Sequence, residues 1–199
     1  MKTGIFGAGE GWRPPQVASW PDEYERGRPG WPAEVAGIAG LGSESVALEL
    51  GAGTGKLTRV LALKFPQLIA VEPAASMRAL LATTCPAVEV LAGSAEEIPI
   101  ADRSVGGVFV AEAFHRFNAE PALVEIARVL IPRGVLVLMW NVPGGPGHPD
   151  LAAAEGLLLQ RAPGSREELG YDPVDPQPGP RRQRGVASSI CDVVFWPDP

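Results

Sequence analysis

From residue 33 onward, short apolar runs rich in Val, Leu and Ile alternate with segments whose apolar residues recur at helical spacing. Residues 46–50 form the first run and stop at Gly51, and Leu57, Val60, Leu61 and Lys64 then follow at i, i+3, i+4 and i+7. This order predicts a strand, a glycine turn and a helix. Residues 67–71 predict a second strand, closed by Pro73, after which Ser76 is the expected cap of a helix carrying Met77, Leu80 and Leu81 on one face. Residues 88–91 and 105–110 predict a third and a fourth strand. Asn118 is the expected cap of a helix with Leu123, Ile126, Ala127 and Leu130 along its inner stripe, ended by Pro132, Arg133 and Gly134. Residues 135–140 are apolar without alternation, the pattern of a parallel strand covered on both faces, and residues 151–161 suit one more helix. Strands and helices in this alternation predict an α/β fold: a doubly wound, mostly parallel sheet with helices on both faces.

The two ends read differently. Residues 1–32 are broken by Gly and Pro and punctuated by Trp12, Trp20, Tyr24 and Trp31, which predicts an aromatic-rich arm without long regular elements. Residues 33–161 form the expected domain, and residues 162–199 are rich in Pro and Arg, irregular except for a candidate strand at 193–196. The C-terminal strands of the sheet are therefore expected to be incomplete. Unless 193–196 or a partner covers it, the strand at 135–140 becomes an exposed apolar edge.

At 199 residues the chain has room for one such domain. Its 46% hydrophobic and 20% charged residues are those of a globular protein, and a formal charge of −6 makes nucleic acid a poor default partner. The cluster Arg181, Arg182, Arg184 reads as a solvated tail. No apolar run approaches the roughly 20 residues of a membrane span, and residues 1–12 lack an apolar signal core, so the expected setting is the cytoplasm, away from membranes. Cys85 and Cys191 lack metal or disulfide spacing, and Glu96, Glu97 and Asp102 have no histidine with which to form a ligand set, so no metal is expected.

The chemistry concentrates in residues 49–58, Glu-Leu-Gly-Ala-Gly-Thr-Gly-Lys-Leu-Thr, between a strand and a helix. Glycines there let backbone approach a ligand at the carboxyl end of the strand, a demand that a bare turn does not make. A dinucleotide site wants G-x-G-x-x-G, whereas Gly51, Gly53 and Gly55 alternate and an acid, Glu49, precedes them. A carboxylate at that point repels a pyrophosphate and attracts, directly or through water, the ammonium of an amino-acid-bearing cofactor such as S-adenosylmethionine. Glu72, at the end of the second strand, stands where a carboxylate accepts the two ribose hydroxyls of an adenosine cofactor. Met77 either lies over a purine face or packs in the core. Ser94, ending the third strand, with a backbone N–H, meets the adenine edge or belongs to a plain turn.

Residues 24–141 resemble class I S-adenosylmethionine-dependent methyltransferases, in the small-molecule branch that includes trans-aconitate methyltransferase-like proteins. The stretches that carry the resemblance are Leu48-Glu-Leu-Gly-Ala-Gly-Thr-Gly55, Val71-Glu-Pro73, and Gly93-Ser-Ala-Glu-Glu-Ile-Pro99 leading into Val108-Phe-Val-Ala-Glu-Ala-Phe-His115. Tyr24-Glu-Arg-Gly-Arg-Pro-Gly-Trp-Pro32 is similar to an arm that packs over the cofactor in that branch. The resemblance implies a Rossmann-like fold and S-adenosyl-L-methionine as cofactor. It implies as cofactor-binding residues Tyr24, Arg28, Glu49, Gly51, Gly53, Gly55, Glu72, Pro73, Met77, Ser94 and Ala95. The chain departs from the branch at His115-Arg116-Phe117, where relatives carry His-Trp-Phe, and beyond the fifth strand, where relatives add an antiparallel pair of strands.

Methyl transfer from a sulfonium is an in-line displacement served mainly by orientation and exclusion of water. A carboxylate acceptor is already deprotonated at pH 7, whereas a hydroxyl or amine gains from a base. His115 is the candidate base in the pocket, or a structural hydrogen-bonding residue, and His148 lies in a Pro/Gly loop. Arg116 and Arg28 either pair with an acidic substrate or are solvated. The expected activity is methyl transfer to a small-molecule acceptor, a carboxylate among the candidates. A truncated, non-catalytic binding or regulatory protein of the same fold is the alternative, and a nicotinamide oxidoreductase is disfavoured by the glycine spacing.

Overall fold

The computed structural model describes residues 21–28, 30–141 and 189–195. The expected helix at 151–161, His148, the arm before residue 21 and the tail between 162 and 188 lie outside the described residues. Helix α1 (Pro21–Gly27) is followed by a single 3-10 turn (Ala33–Gly37), and the alternating elements are β1 (Ala47–Leu50), α2 (Thr58–Leu61), β2 (Leu68–Val71), α3 (Ala75–Thr84), β3 (Glu89–Leu91), β4 (Val105–Ala111), α4 (Ala119–Val129), β5 (Leu130–Asn141) and β6 (Ser189–Phe195).

The strands form one sheet in the order β3-β2-β1-β4-β5-β6. The first five are parallel, with Leu50 opposite Val71 on one side and Val110 on the other. The order reverses between β1 and β4, the switch point at whose carboxyl side an open α/β sheet leaves a crevice. β6 runs antiparallel to β5, from Val135↔Phe195 to Asn141↔Ser189, so the candidate strand at 193–196 begins earlier, and the apolar strand of 135–140 is not an edge. Trp196 lies outside the described residues.

Strand alternation sorts the core into two layers. Leu48, Leu50, Val108, Val110, Leu136 and Leu138 face Leu123, Ile126 and Val129 of α4. Ala47, Phe109, Val137 and Met139 face the other way, against Leu57, Leu61, Phe65 and the turn residues Val35 and Ala36. Phe65 and Phe109 pack at 5.6 Å between ring centroids. By this alternation Glu49, between Leu48 and Leu50, belongs to the α2 side of β1.

Three local expectations change. Ser76 lies inside α3, and the cap position falls to Ala74, which has no capping side chain of its own. Asn118 does occupy the cap of α4, but its side chain makes no capping bond. Leu130 belongs to β5 rather than to the helix, because the chain passes from α4 straight into the strand and takes up Pro132, Arg133 (φ 62°) and Gly134 in an irregular register between Val105↔Leu130 and Gly107↔Val135. Among the described residues no helix is long and apolar enough to cross a membrane.

Candidate functional site

The carboxyl ends of β1 to β4 open into one cleft of about 760 Å³, including solvent at its mouth. That size lies within the range that accepts a small ligand or cofactor. Each strand delivers a short piece of wall: Gly51 and Gly53 after β1, Glu72, Pro73 and Ala74 after β2, Gly93, Ser94, Ala95 and Glu96 after β3, and Ala111, Glu112 and Ala113 at the end of β4. Tyr24 from α1, Met77 from α3, and Arg116 and Phe117 ahead of α4 complete it.

Glu72 is the organising side chain. It is buried, at 7% exposure, yet lines the cleft. The N–H of Gly53 donates to its Oε2 and the N–H of Ala74 to its Oε1, both at 2.9 Å. One carboxylate thus ties the glycine turn to the start of α3 and supplies the cap that Ser76 does not. Arg78 Nη1 donates to the carbonyls of Glu72 and Pro73 at 2.8 and 2.6 Å, which fixes the same turn from behind. Burial pushes the Glu72 carboxyl up, against the two backbone N–H groups and the charges of Arg78 and Arg116. A carboxylate oxygen accepts up to two hydrogen bonds, so a carboxylate that takes one backbone N–H on each oxygen has the capacity to hold a pair of vicinal hydroxyls as well.

The glycine turn meets the cleft through left-handed backbone. Gly51 and Gly53 have φ of 67° and 59°, which glycine adopts without strain. A Cβ on Gly53 would meet nothing within 4 Å, so the requirement there is one of backbone conformation and open space. Gly55 does not line the cleft. A Cβ there would come within 2.6 Å of Leu81 and 3.3 Å of Cys85 Sγ, so this glycine lets the glycine turn pack against α3.

Glu49 is not where the electrostatic argument from sequence needs it. It is 2% exposed, lies on the α2 face of β1, and accepts a hydrogen bond from the Thr58 hydroxyl at 2.6 Å. Burial, opposed by that hydroxyl and reinforced by the Glu72 charge, pushes its carboxyl up to about 8. Burial under α2 thus favours the neutral form of this carboxyl. Glu49 does not line the cleft, and its carboxyl is held by Thr58 on the α2 side.

The remaining expected residues divide. Tyr24, Pro73, Met77, Ser94 and Ala95 line the cleft together, and Met77 and Ala95 are also buried. Arg28 and His115 do not line it. Arg28 sits over the Tyr24 ring at 5.6 Å, and His115 is exposed, accepting a hydrogen bond on Nε2 from Arg116 Nε at 3.5 Å. Burial raises the Tyr24 phenol above its ordinary value, against the charges of Arg28 and Arg116, so it stays a hydrogen-bond donor. Sequence reasoning did not name Glu112, whose φ of 52° is uncommon for a residue with a side chain and whose N–H donates to the Met139 carbonyl at 2.9 Å. It also missed Glu25, which accepts bonds from Thr54 Oγ1, Lys56 Nζ (3.4 Å) and Arg59 Nη2 (2.7 Å) and so straps α1, with Tyr24, over the glycine turn.

Residues 48–138 match the family model of the methyltransferase domain. An uncharacterized methyltransferase of Mycobacterium tuberculosis is 44% identical over 118 residues, 59% of this chain and 49% of that protein. One of Schizosaccharomyces pombe is 41% identical over 125 residues, 60% of this chain and 50% of that protein. The chain thus spans about half the length of these relatives. Among solved structures, YcgJ of Bacillus subtilis superposes with a TM-score of 0.51 at 25% identity, over 56% of this chain and 51% of that one. A SAM-dependent methyltransferase of Thermotoga maritima superposes with a TM-score of 0.56 at 21% identity, over 90% of this chain and 97% of that one, a likeness of fold.

Proposed function

We propose that this chain, whose residues 48–138 match the methyltransferase-domain model, binds S-adenosyl-L-methionine in the cleft at the carboxyl ends of β1 to β4 and transfers its methyl group to a small-molecule acceptor. The observation that carries the reading is Glu72: a buried carboxylate that lines the cleft and is fixed by one backbone N–H on each oxygen. Such a group suits the two ribose hydroxyls of an adenosine cofactor. Gly51 and Gly53 bring backbone to the amino-acid portion, Met77 covers a base face, and Ser94 with the N–H of Ala95 stands at the base edge. Glu49 and Gly55 act from behind, Glu49 in the packing of α2 and Gly55 in that of α3.

The bound cofactor supplies an electrophilic methyl group on a cationic sulfur. What the chain contributes is orientation and dryness. Tyr24, held over the glycine turn by the bonds of Glu25, closes one wall, and Phe117 faces the cleft from ahead of α4. Arg116 is the cation of the acceptor side, suited to a carboxylate, which requires no base. His115, outside the cleft, is assigned no proton transfer. The cytoplasm is the proposed setting and nucleic acid is not a proposed partner, both on the strength of composition and charge.

The test is calorimetric titration of the full chain with S-adenosylhomocysteine and with NADH, followed by transfer of labelled methyl from S-adenosylmethionine to panels of small carboxylates, hydroxyls and amines. Binding of the adenosyl ligand alone, with label on a carboxylate and a raised KM in Arg116→Ala, is the expected result. Preference for NADH would overturn the cofactor assignment, and label on amines alone would overturn the role of Arg116.

A further inference from the structure

The segment from Ser94 to Asp102, which carries the base-edge side of the cleft into β4, has almost no secondary structure of its own: an isolated bridge joins Ser94 to Glu97, and Ile100 N–H returns to the Ile98 carbonyl at 2.9 Å. A loop held so lightly cannot by itself fix two hydrogen-bonding groups at its start to within the few tenths of an ångström that base recognition requires. Its backbone groups are satisfied instead by α4. Arg128 Nη2 donates to the Ile98 carbonyl at 2.8 Å and Nη1 to the Ile100 carbonyl at 2.9 Å, with a further bond from Nη1 to Asp102 Oδ1 at 2.7 Å. Glu125, one turn earlier, accepts the Ile98 N–H at 2.9 Å and holds the guanidinium at 2.7 Å through both of its oxygens. At the other end of the helix, Glu96 accepts the N–H of Asn118 at 2.7 Å. Between these ties, Ala95 and Ile98 are buried in the same cluster as Leu123 and Ile126.

The geometry points to Arg128, with Glu125, as a positioning pair for cofactor recognition: from outside the cleft it locks residues 94–100 onto α4 and so sets where Ser94 and Ala95 meet the base. This rests on the cofactor reading above. A planar guanidinium is the side chain that spans two carbonyls and a carboxylate at once, whereas a lysine ammonium on a single stem reaches one of the carbonyls at a time. The pair touches neither the ribose-facing Glu72 nor the glycine turn, so its effect falls on the base and not on the rest of the cofactor.

The experiment compares S-adenosylhomocysteine with S-ribosylhomocysteine, which lacks adenine, by calorimetry on the wild-type chain, Arg128→Met and Arg128→Lys, with hydrogen exchange of the peptide covering 94–100 read on the same samples. Arg128→Met keeps the apolar stem of the side chain. It is expected to weaken S-adenosylhomocysteine about tenfold, the scale of one charge-assisted hydrogen bond lost indirectly, and to leave S-ribosylhomocysteine within about twofold. Arg128→Lys is expected to fall between, and exchange of 94–100 to speed up in the same order. Equal losses for both ligands, or unchanged affinity for both, would overturn the positioning role alone. Failure of the wild-type chain to bind either ligand would overturn the cofactor reading and the role with it.

Discussion

The ends of β1 and β2 each carry a glutamate, each is almost wholly buried, and the two have opposite uses. Glu72 ends a strand and turns into the cleft, where two backbone N–H groups and the neighbouring Arg78 compensate its burial. Glu49 lies one residue short of the end of its strand, on the α2 face, where it accepts the Thr58 hydroxyl. Burial depth therefore does not distinguish an acid that lines the cleft from one packed under a helix. What distinguishes them is which backbone groups each carboxylate satisfies and which side of the sheet it leaves by.

The comparison breaks if Glu72 proves dispensable. Glu72→Ala removes the proposed acceptor of two ribose hydroxyls and is expected to weaken S-adenosylhomocysteine about 100-fold or more, the scale of two charge-assisted bonds, as read by calorimetry. Gly53→Ala sharpens it. The substitution forces a side chain into a backbone with φ of 59° and puts a Cβ into open space at a cleft-lining residue, at a cost of about 1 kcal/mol in stability and on the order of tenfold in cofactor affinity. Thermal melts and titration of one sample separate the two effects.

Glu49→Gln tests the other acid through pH. The folded-state value of Glu49, about 8, lies above the ordinary carboxyl value, so its contribution is fully present below that ordinary value and is lost as pH rises through the folded one. The melting temperature of the wild-type chain is expected to fall between pH 5 and pH 8 by on the order of 5 °C more than that of Glu49→Gln. A parallel pH dependence in the two would contradict the buried, protonated assignment. The smallest effect belongs to His115→Ala: an exposed imidazole outside the cleft is expected to change kcat by less than about twofold.

The parallel order of strands and the glycine turn were legible in residues 46–110, because apolar runs of this length and spacing admit few other arrangements. Glu72 was legible too, as an acid closing the second strand. The side of the sheet on which Glu49 lies was also legible, but only from the strand alternation and not from the motif. The alternation Leu48, Glu49, Leu50 already assigns the acid to the face opposite the two leucines, and that face is covered by α2. The cap of α3 was misread for a related reason: Ser76 is a good local capping residue, but a carboxylate fixed by the tertiary structure reached Ala74 first. Glu25 carries no local signal, since its partners lie 29 to 34 residues away, and for Arg128 the sequence offers only the i, i+3 pairing with Glu125, while the carbonyls and carboxylate it ties down lie 26 to 30 residues away.

The assignment of these two acids is tested most directly by titrating S-adenosylhomocysteine into Glu72→Gln and Glu49→Gln side by side. The expected outcome is a loss of binding in the first, because an amide NH2 then faces the N–H of Gly53 or Ala74, and affinity within about threefold of wild type in the second. Retained binding in Glu72→Gln together with its loss in Glu49→Gln would contradict the account.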